Sequence, residues 1–167
     1  MATHAINILG ASSSPDTSGS VTPEPVAVNL QTNDRYPILC FKFADSGTRI
    51  VLGGTFVVPQ NYVGTPKIRV FVATTATAGD WRYEFDYTAI ADAESTDPSA
   101  DQESVGATVT VPGTARLLDV QDQSLTAGNF VAGDIVQFSV VRDGTDAADT
   151  LAAALYLFAV QFVYNDA

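Results

Sequence analysis

Aspartate is the side chain most available for chemistry in this chain. Asp143, Asp146 and Asp149 recur at every third position through Arg142-Asp143-Gly144-Thr145-Asp146-Ala147-Ala148-Asp149-Thr150. A second acidic group, Asp92, Glu94, Asp97 and Asp101, falls within 91–102 with no basic residue among it. Calcium needs several oxygens at close range, and such groups could supply them. The 143–149 spacing departs from an EF-hand loop, which requires further ligands and a terminal Glu. Asp143 before Gly144 equally suits a turn, and Asp149 before Thr150 a local hydrogen-bonding or capping role. Asp143, Asp146 and Asp149 are therefore calcium candidates with a structural alternative, and no other metal or cofactor is expected. Paired carboxylates are also the equipment of glycoside hydrolysis, but acids confined to loops are ordinarily solvated surface.

Other catalytic chemistry lacks its parts. The single cysteine, Cys40, sits in the apolar run Ile38-Leu39-Cys40-Phe41, where a thiol usually packs as a small hydrophobe. A nucleophilic role would need a base, and the one histidine is His4, near the start of the chain. That leaves no positioned Ser-His-Asp set, no His or Cys cluster for zinc and no Gly-rich phosphate loop followed by Lys. Trp81, Tyr83 and Tyr87 could form a sugar-stacking platform. On one face of a strand, they more often belong to a core.

The elements that would position these residues are strands. The chain has 167 residues, 46% apolar and only 16% charged, with 8 Lys and Arg against 19 Asp and Glu for a net charge of −11. That length fits one domain with a substantial core. The charge disfavours nucleic acid and anionic membrane surfaces and suits a cation or a basic partner. The scarcity of charge suggests a surface partly covered by other subunits. Met1–Leu9 lacks the basic start and long apolar core of a signal peptide, and the longest apolar run, Leu151–Val160, is too short to span a bilayer.

Residues 1–34 are rich in Ser, Thr, Pro, Asn and Gly, with prolines 15, 23 and 25 opposing helix. Two apolar patches interrupt them: Ile6, Ile8 and Leu9, then Val26, Val28 and Leu30 in alternation. The segment reads either as a disordered tail or as an extended arm that adds a strand to a neighbouring sheet, and the apolar patches favour the arm. Extended, 34 residues would reach on the order of 110 Å. From residue 35 to 167 the texture is that of a β-sandwich domain. Strands are expected over 37–43, 49–58, 67–75, 81–90, 105–111, 114–120, 135–141 and 152–164. A bulge or close approach is expected at Gly53-Gly54, and packing anchors at Phe130 and Val131. The cleanest alternation puts Trp81, Tyr83, Phe85 and Tyr87 on one face and Arg82, Glu84 and Asp86 on the other.

Leu151, Leu155 and Phe158 also fit a helical period, but the density of β-formers to Tyr164 favours strand, with room for a helical turn around 147–152. The last strand is apolar on both faces: Tyr156, Phe158, Val160 and Phe162 on one, Leu155, Leu157, Ala159 and Val163 on the other. A two-layer sandwich covers one face only, so the other implies the arm or a further subunit. The expected fold is all-β, a two-sheet antiparallel sandwich with jelly-roll favoured over immunoglobulin-like topology, plus an extended N-terminal arm. The expected interface residues are Ile6, Ile8, Leu9, Val26, Val28, Leu30, Leu155, Leu157 and Val163.

Three stretches carry a family resemblance. Gly133-Asp134-Ile135-Val136 opens a strand, Arg142–Thr150 supplies an Arg-Asp…Asp…Asp-Thr connection, and an aromatic-rich strand ends at Tyr164. Pro59-Gln60-Asn61-Tyr62 also precedes a strand leading to Trp81. Over about Arg49–Tyr164 the chain resembles virion proteins of tailed phages through a string of short matches that includes no catalytic signature; residues 1–34 lie outside the match. The resemblance implies a jelly-roll structural protein, commonly trimeric, best fitted to a capsid cement (decoration) role on the capsid surface, clamping the major capsid protein. A head-fibre, tail or baseplate component binding host glycan is the rival that it also allows. Neither involves nucleic acid or membrane.

Overall fold

In a computed structural model the described residues are 1–9, 24–28, 38–97 and 101–167, with side chains left out for 24–28 and 38. Ten strands are described: β1 (Thr3–Asn7), β2 (Glu24–Val28), β3 (Ile38–Phe43), β4 (Arg49–Val57), β5 (Tyr62–Thr74), β6 (Asp80–Ile90), β7 (Glu103–Thr110), β8 (Asp119–Ser124), β9 (Ile135–Asp143) and β10 (Leu155–Asp166). They form two antiparallel sheets. The first runs β2-β3-β10-β5-β8, with β1 also on β10; the second runs β4-β9-β6-β7. The pairs β3/β10, β4/β9, β5/β8 and β6/β7 nest inside one another, as if one long hairpin had been rolled up. That nesting over two sheets is the jelly roll.

Alternation fills the space between the sheets. Ile68, Val70, Val72, Leu155, Leu157, Val160 and Phe162 from the first sheet meet Ile50, Leu52, Trp81, Tyr83, Phe85, Val136 and Val140 from the second, all at most 3% exposed. Phe162 bridges the layers, with its ring centroid 4.9 Å from that of Phe56 and 5.3 Å from that of Phe130. Phe130 anchors as expected, whereas Val131 is exposed. Gly54 sits in an unbroken register beneath the Phe138 ring, and a Cβ there would lie 2.7 Å from Cζ. The close approach expected at Gly53-Gly54 is thus ring on backbone, without a bulge.

The bulge lies in β10 instead. Leu157 pairs with Val72, but Ala159 pairs with Phe71, so Phe158 is the extra residue and the strand changes phase there. Leu155 and Leu157 consequently share the inward face with Val160 and Phe162. This corrects the expected division of β10, and with it the interface assignment of Leu155 and Leu157, which are 2% and 1% exposed core residues. A single unbroken alternation across Phe158 cannot reproduce that arrangement.

The expectation of a separate arm over 1–34 also changes. The described parts of that stretch are strands of the domain's own first sheet: β1 pairs with β10 from Thr3↔Asn165 to Asn7↔Gln161, and β2 pairs with β3. Ile8 is 4% exposed, and Ile6 and Leu9 pack against the core, because β3 leaves the C-terminal half of β10 unpaired and β1 fills that edge. Val26 and Val28 are placed in β2 by backbone alone, and Leu30 lies outside the described residues. The strand expected over 114–120 begins only at Asp119, where pairing with Val72 starts, and 147–152 forms turns without a helix. Leu157→Ala should cost the isolated chain about 2–5 kcal/mol in urea or thermal unfolding. A neutral result would place Leu157 outside the core.

Candidate functional site

The calcium candidates are each engaged elsewhere. Asp149 is the counter-ion of Arg142, whose Nε and Nη2 donate to its two carboxylate oxygens at 2.9 and 2.8 Å. Arg142 is 1% exposed because β9 alternation carries it inward after Val136, Phe138 and Val140. Its remaining N–H groups donate to the carbonyls of Leu151 at 2.6 Å, Ala153 at 2.8 Å and Ala44 at 3.2 Å. Asp149 Oδ2 also accepts the Arg82 N–H, and Thr150 Oγ1 accepts that of Asp80, which fastens the connection to the start of β6.

Asp143 accepts from the Thr145 N–H and hydroxyl, and Asp146 from the Ala148 N–H, each a local turn bond. Burial pushes the Asp143 carboxyl up, but these bonds, the Arg49 charge and the Asp146 N–H outweigh it and hold the group below the ordinary aspartate range. Among the described residues no group of three or more His, Cys, Asp or Glu side chains is placed to hold a metal ion.

The thiol and the imidazole do not form a pair. Cys40 is buried and desolvation pushes its thiol up to about 11, away from the thiolate a nucleophile needs. His4 Nε2 lies 2.9 Å from Asp166 Oδ2 and its ring stacks on Tyr164, tying β1 to the end of β10. Trp81, Tyr83 and Tyr87 are 2%, 1% and 1% exposed, so they are core and offer no sugar platform. The Tyr87 hydroxyl donates to Glu103, which also accepts from the Thr126 N–H and hydroxyl. Burial raises the Glu103 carboxyl, yet the bonds from Tyr87, Thr126 and Asn129 overcome this and leave it below the ordinary glutamate range.

The two outward sheet faces remain accessible, and each mixes polar and apolar side chains, the second having exposed Val57 and Ile135 paired at one end. On the second sheet Arg49 Nη2 donates to Glu84 at 2.7 Å, and Asp86 accepts from Ser104 at 2.5 Å and Ser139 at 3.3 Å. Gln137 continues the polar face and reaches the Thr96 carbonyl in the loop beyond β6. The outward face of the first sheet is apolar over half its length. Leu118 immediately precedes β8, whose pairing with β5 ends at Asp119↔Val72. Val120 lies beside Phe71, which faces Ala159 next to the bulged Phe158. Leu118 and Val120 are 58% and 42% exposed. The next row is polar, with Arg69 donating to both oxygens of Asp122 at 2.6 and 2.7 Å beside Gln161. Val163, the remaining residue assigned to an interface, lies further along this face and is only 6% exposed.

Arg142 was hidden in the sequence within an acidic connection. The signal that finds it is strand parity, since a cation in phase with three core residues must be buried and must own a carboxylate nearby. The outward patch was legible only as "apolar on both faces", because its membership depends on the Phe158 bulge.

No family model matches the chain, and no curated protein matches it. Among solved structures, the K1 cleaved adhesin domain of Lys-gingipain from Porphyromonas gingivalis is similar at a TM-score of 0.54, with 14% identity over 99% of both chains. A xylan-binding module gives a TM-score of 0.47 at 12% identity over 99% of both chains. The enzymatically active domain of tailspike protein 4 from bacteriophage CBA120 gives 0.48 at 7% identity, covering 96% of this chain and 19% of that one. The first likeness bears on the fold and nothing finer.

Asp149→Ala strands a buried guanidinium and should cost about 3–5 kcal/mol in chemical denaturation. The pair replacement Arg142→Met with Asp149→Leu should cost less than Asp149→Ala alone, and a larger loss would refute the clasp. Because the folded state holds Glu103 below its ordinary range, its contribution is present at neutral pH and lost as pH falls through the folded value. The melting-temperature gap between wild type and Glu103→Gln should therefore close on acidification; a constant gap would contradict the role given to these bonds.

Proposed function

We propose that this chain is a non-catalytic structural subunit of a tailed-phage particle, acting as a trimeric capsid cement (decoration) protein on the head surface and holding adjacent copies of the major capsid protein. The observation that carries this reading is the apolar outward face of the first sheet. Half-buried Phe71, Tyr156 and Phe158 and exposed Val120, with no second layer over them among the described residues, suit a protein whose place is in an assembly. The jelly-roll topology and the resemblance over Arg49–Tyr164 support the same reading. The engagement of Asp143, Asp146, Asp149 and Glu103 in internal hydrogen bonds fits a scaffold role. Thr3–Asn7 and Glu24–Val28 do not serve as a free clamping arm in this reading, since they belong to the domain's own sheet.

A head-fibre, tail or baseplate component with host-glycan binding is favoured by a different observation, the hydrogen-bonding outward face of the second sheet around Asp86, Ser104, Ser139 and Arg49. That reading rests on polar contacts alone, because Trp81, Tyr83 and Tyr87 are in the core.

Cryo-microscopy of intact particles containing the protein should reveal it at three-fold positions of the head, in contact with capsid subunits. Density confined to the tail or baseplate would overturn the cement role. Glycan binding lost on Asp86→Ala would replace it with the second reading.

A further inference from the structure

The four nested pairs of the roll are made by the strands from β3 to β10, and β1 lies outside them. Among the described residues β1 pairs with β10 alone, from Thr3↔Asn165 to Asn7↔Gln161, along the edge that β3 leaves open beyond Leu157. Ile8 extends the pairing by donating its N–H to the Val160 carbonyl at 2.9 Å. Thr3, Ala5 and Asn7 are exposed, so the apolar hold comes from Ile6, Ile8 and Leu9, toward the end away from Asp166. Lifting β1 would leave every nested pair intact.

The opposite end of β1 is held chiefly by one side chain. Asp166 Oδ1 accepts the Ala2 N–H at 2.5 Å, and Asp166 Oδ2 lies 2.9 Å from His4 Nε2. The Asp166 N–H donates in return to the Ala2 carbonyl at 3.1 Å. The His4 ring stacks on Tyr164 with centroids 5.5 Å apart, which orients Nε2 toward the carboxylate. Thr3 Oγ1 adds a neutral bond to Asn165 Oδ1 at 3.0 Å.

The titratable groups around Asp166 are His4 and the Met1 amine from the start of the chain, Tyr62 from β5, Tyr164 on its own strand and the terminal carboxylate of Ala167. The two tyrosine hydroxyls are engaged elsewhere, on the Ala127 carbonyl and on Asn61. His4 keeps an Nε2–H donor when it gains a second proton, so acid removes only the charge that accepts from it. Bonds from the Ala2 N–H and from His4 hold the Asp166 carboxyl below the ordinary aspartate range, with desolvation opposing and the His4 and Met1 charges assisting. A carboxyl so depressed stabilises the fold above its unfolded value and ceases to do so as pH falls through the folded one. Once neutral, it no longer offsets the imidazolium and the Met1 amine, two cations at the same end of the chain.

We propose that β1 is a releasable strap, latched by the Asp166 carboxylate, which opens in acid and bares the β10 edge from Val160 to Asp166 while the roll from β3 to β10 stays folded.

The test is amide hydrogen exchange on the full-length protein, read residue by residue as protection factors so that the intrinsic effect of pH cancels. In wild type the Ile6 and Ile8 amides should lose protection as pH falls through the folded Asp166 value, while β9 amides retain theirs. Asp166→Asn imitates the protonated carboxyl without acid. At neutral pH it should lower Ile6 and Ile8 protection about three- to tenfold, the range open to a partly exposed charge-assisted bond. Protection in β5 and β9 and the melting temperature should not change in that variant, and its β1 protection should be independent of pH until β9 also opens. Wild-type β1 protection that stays constant in acid or falls only together with β9 would overturn the inference. So would Asp166→Asn with wild-type protection at neutral pH, or an equal acid loss in both proteins.

Discussion

The Arg142 guanidinium is the group whose burial constrains the most chain. A cation at 1% exposure is tolerable only if its donors find oxygens and its charge finds a carboxylate. Asp149 supplies the carboxylate, while Ala44 after β3 and Leu151 and Ala153 before β10 supply carbonyls. These groups come from different sheets: Arg142 from the second, the carbonyls from chain entering or leaving the first. Meeting them fixes how the two layers register at this end of the sandwich. Asp149 and Thr150 carry the constraint into β6 through Arg82 and Asp80, and Gly79, at a φ of +107°, lets the backbone pass close against Leu151. The Arg-Asp…Asp…Asp-Thr connection is accordingly a structural clasp. A metal at Asp149 would have to displace Arg142 and leave a bare buried cation.

The clasp also explains which features were readable from the residues. Period-two alternation is set locally, so β6 could be assigned face by face, and Trp81, Tyr83, Phe85 and Tyr87 are buried as alternation demands. Phe158 breaks that rule, and nothing in Leu157-Phe158-Ala159 marks it. The bulge is fixed by β10 having to pair with β3 and β5 at one end and with β1 and β5 at the other. Pairing of that kind is tertiary, and a one-residue slip reverses every later side chain. The same cause misplaced the 114–120 strand, since β8 begins where Asp119 meets Val72 and not where β-formers begin. The role of β1 was out of reach for a related reason: its apolar residues announce that they need cover, but which sheet edge provides it depends on β3 ending short of the β10 terminus.

Charge follows from the same division of labour. The carboxylates that might have done chemistry are spent on fastening: Asp149 on Arg142, Glu103 on Tyr87 and Thr126, and Asp122 on Arg69. Hydrogen bonding by Arg69 to Asp122 holds that carboxyl below the ordinary aspartate range, with burial opposing and the Arg69 and Lys67 charges assisting. Glu103 and Asp122 are thereby stabilised in their ionised forms, which suits attachment points and not general acids.

The two outward faces then diverge for a physical reason. The second sheet keeps the Arg49–Glu84 pair and the Ser104 and Ser139 hydroxyls outside β6 and β9, with Val57 and Ile135 exposed beside each other at one end. The first sheet has β10 at its centre, paired along both edges and buried within, with its bulge pushing Phe158 and Ala159 out toward Phe71 and Val120. Apolar groups there gain nothing from solvent, and Val120, 42% exposed, would gain only a part of the about 1.5–3 kcal/mol that a fully exposed side chain of that kind gains on burial. Covering the face would also desolvate the Arg69–Asp122 pair, whose mutual neutralisation limits that cost.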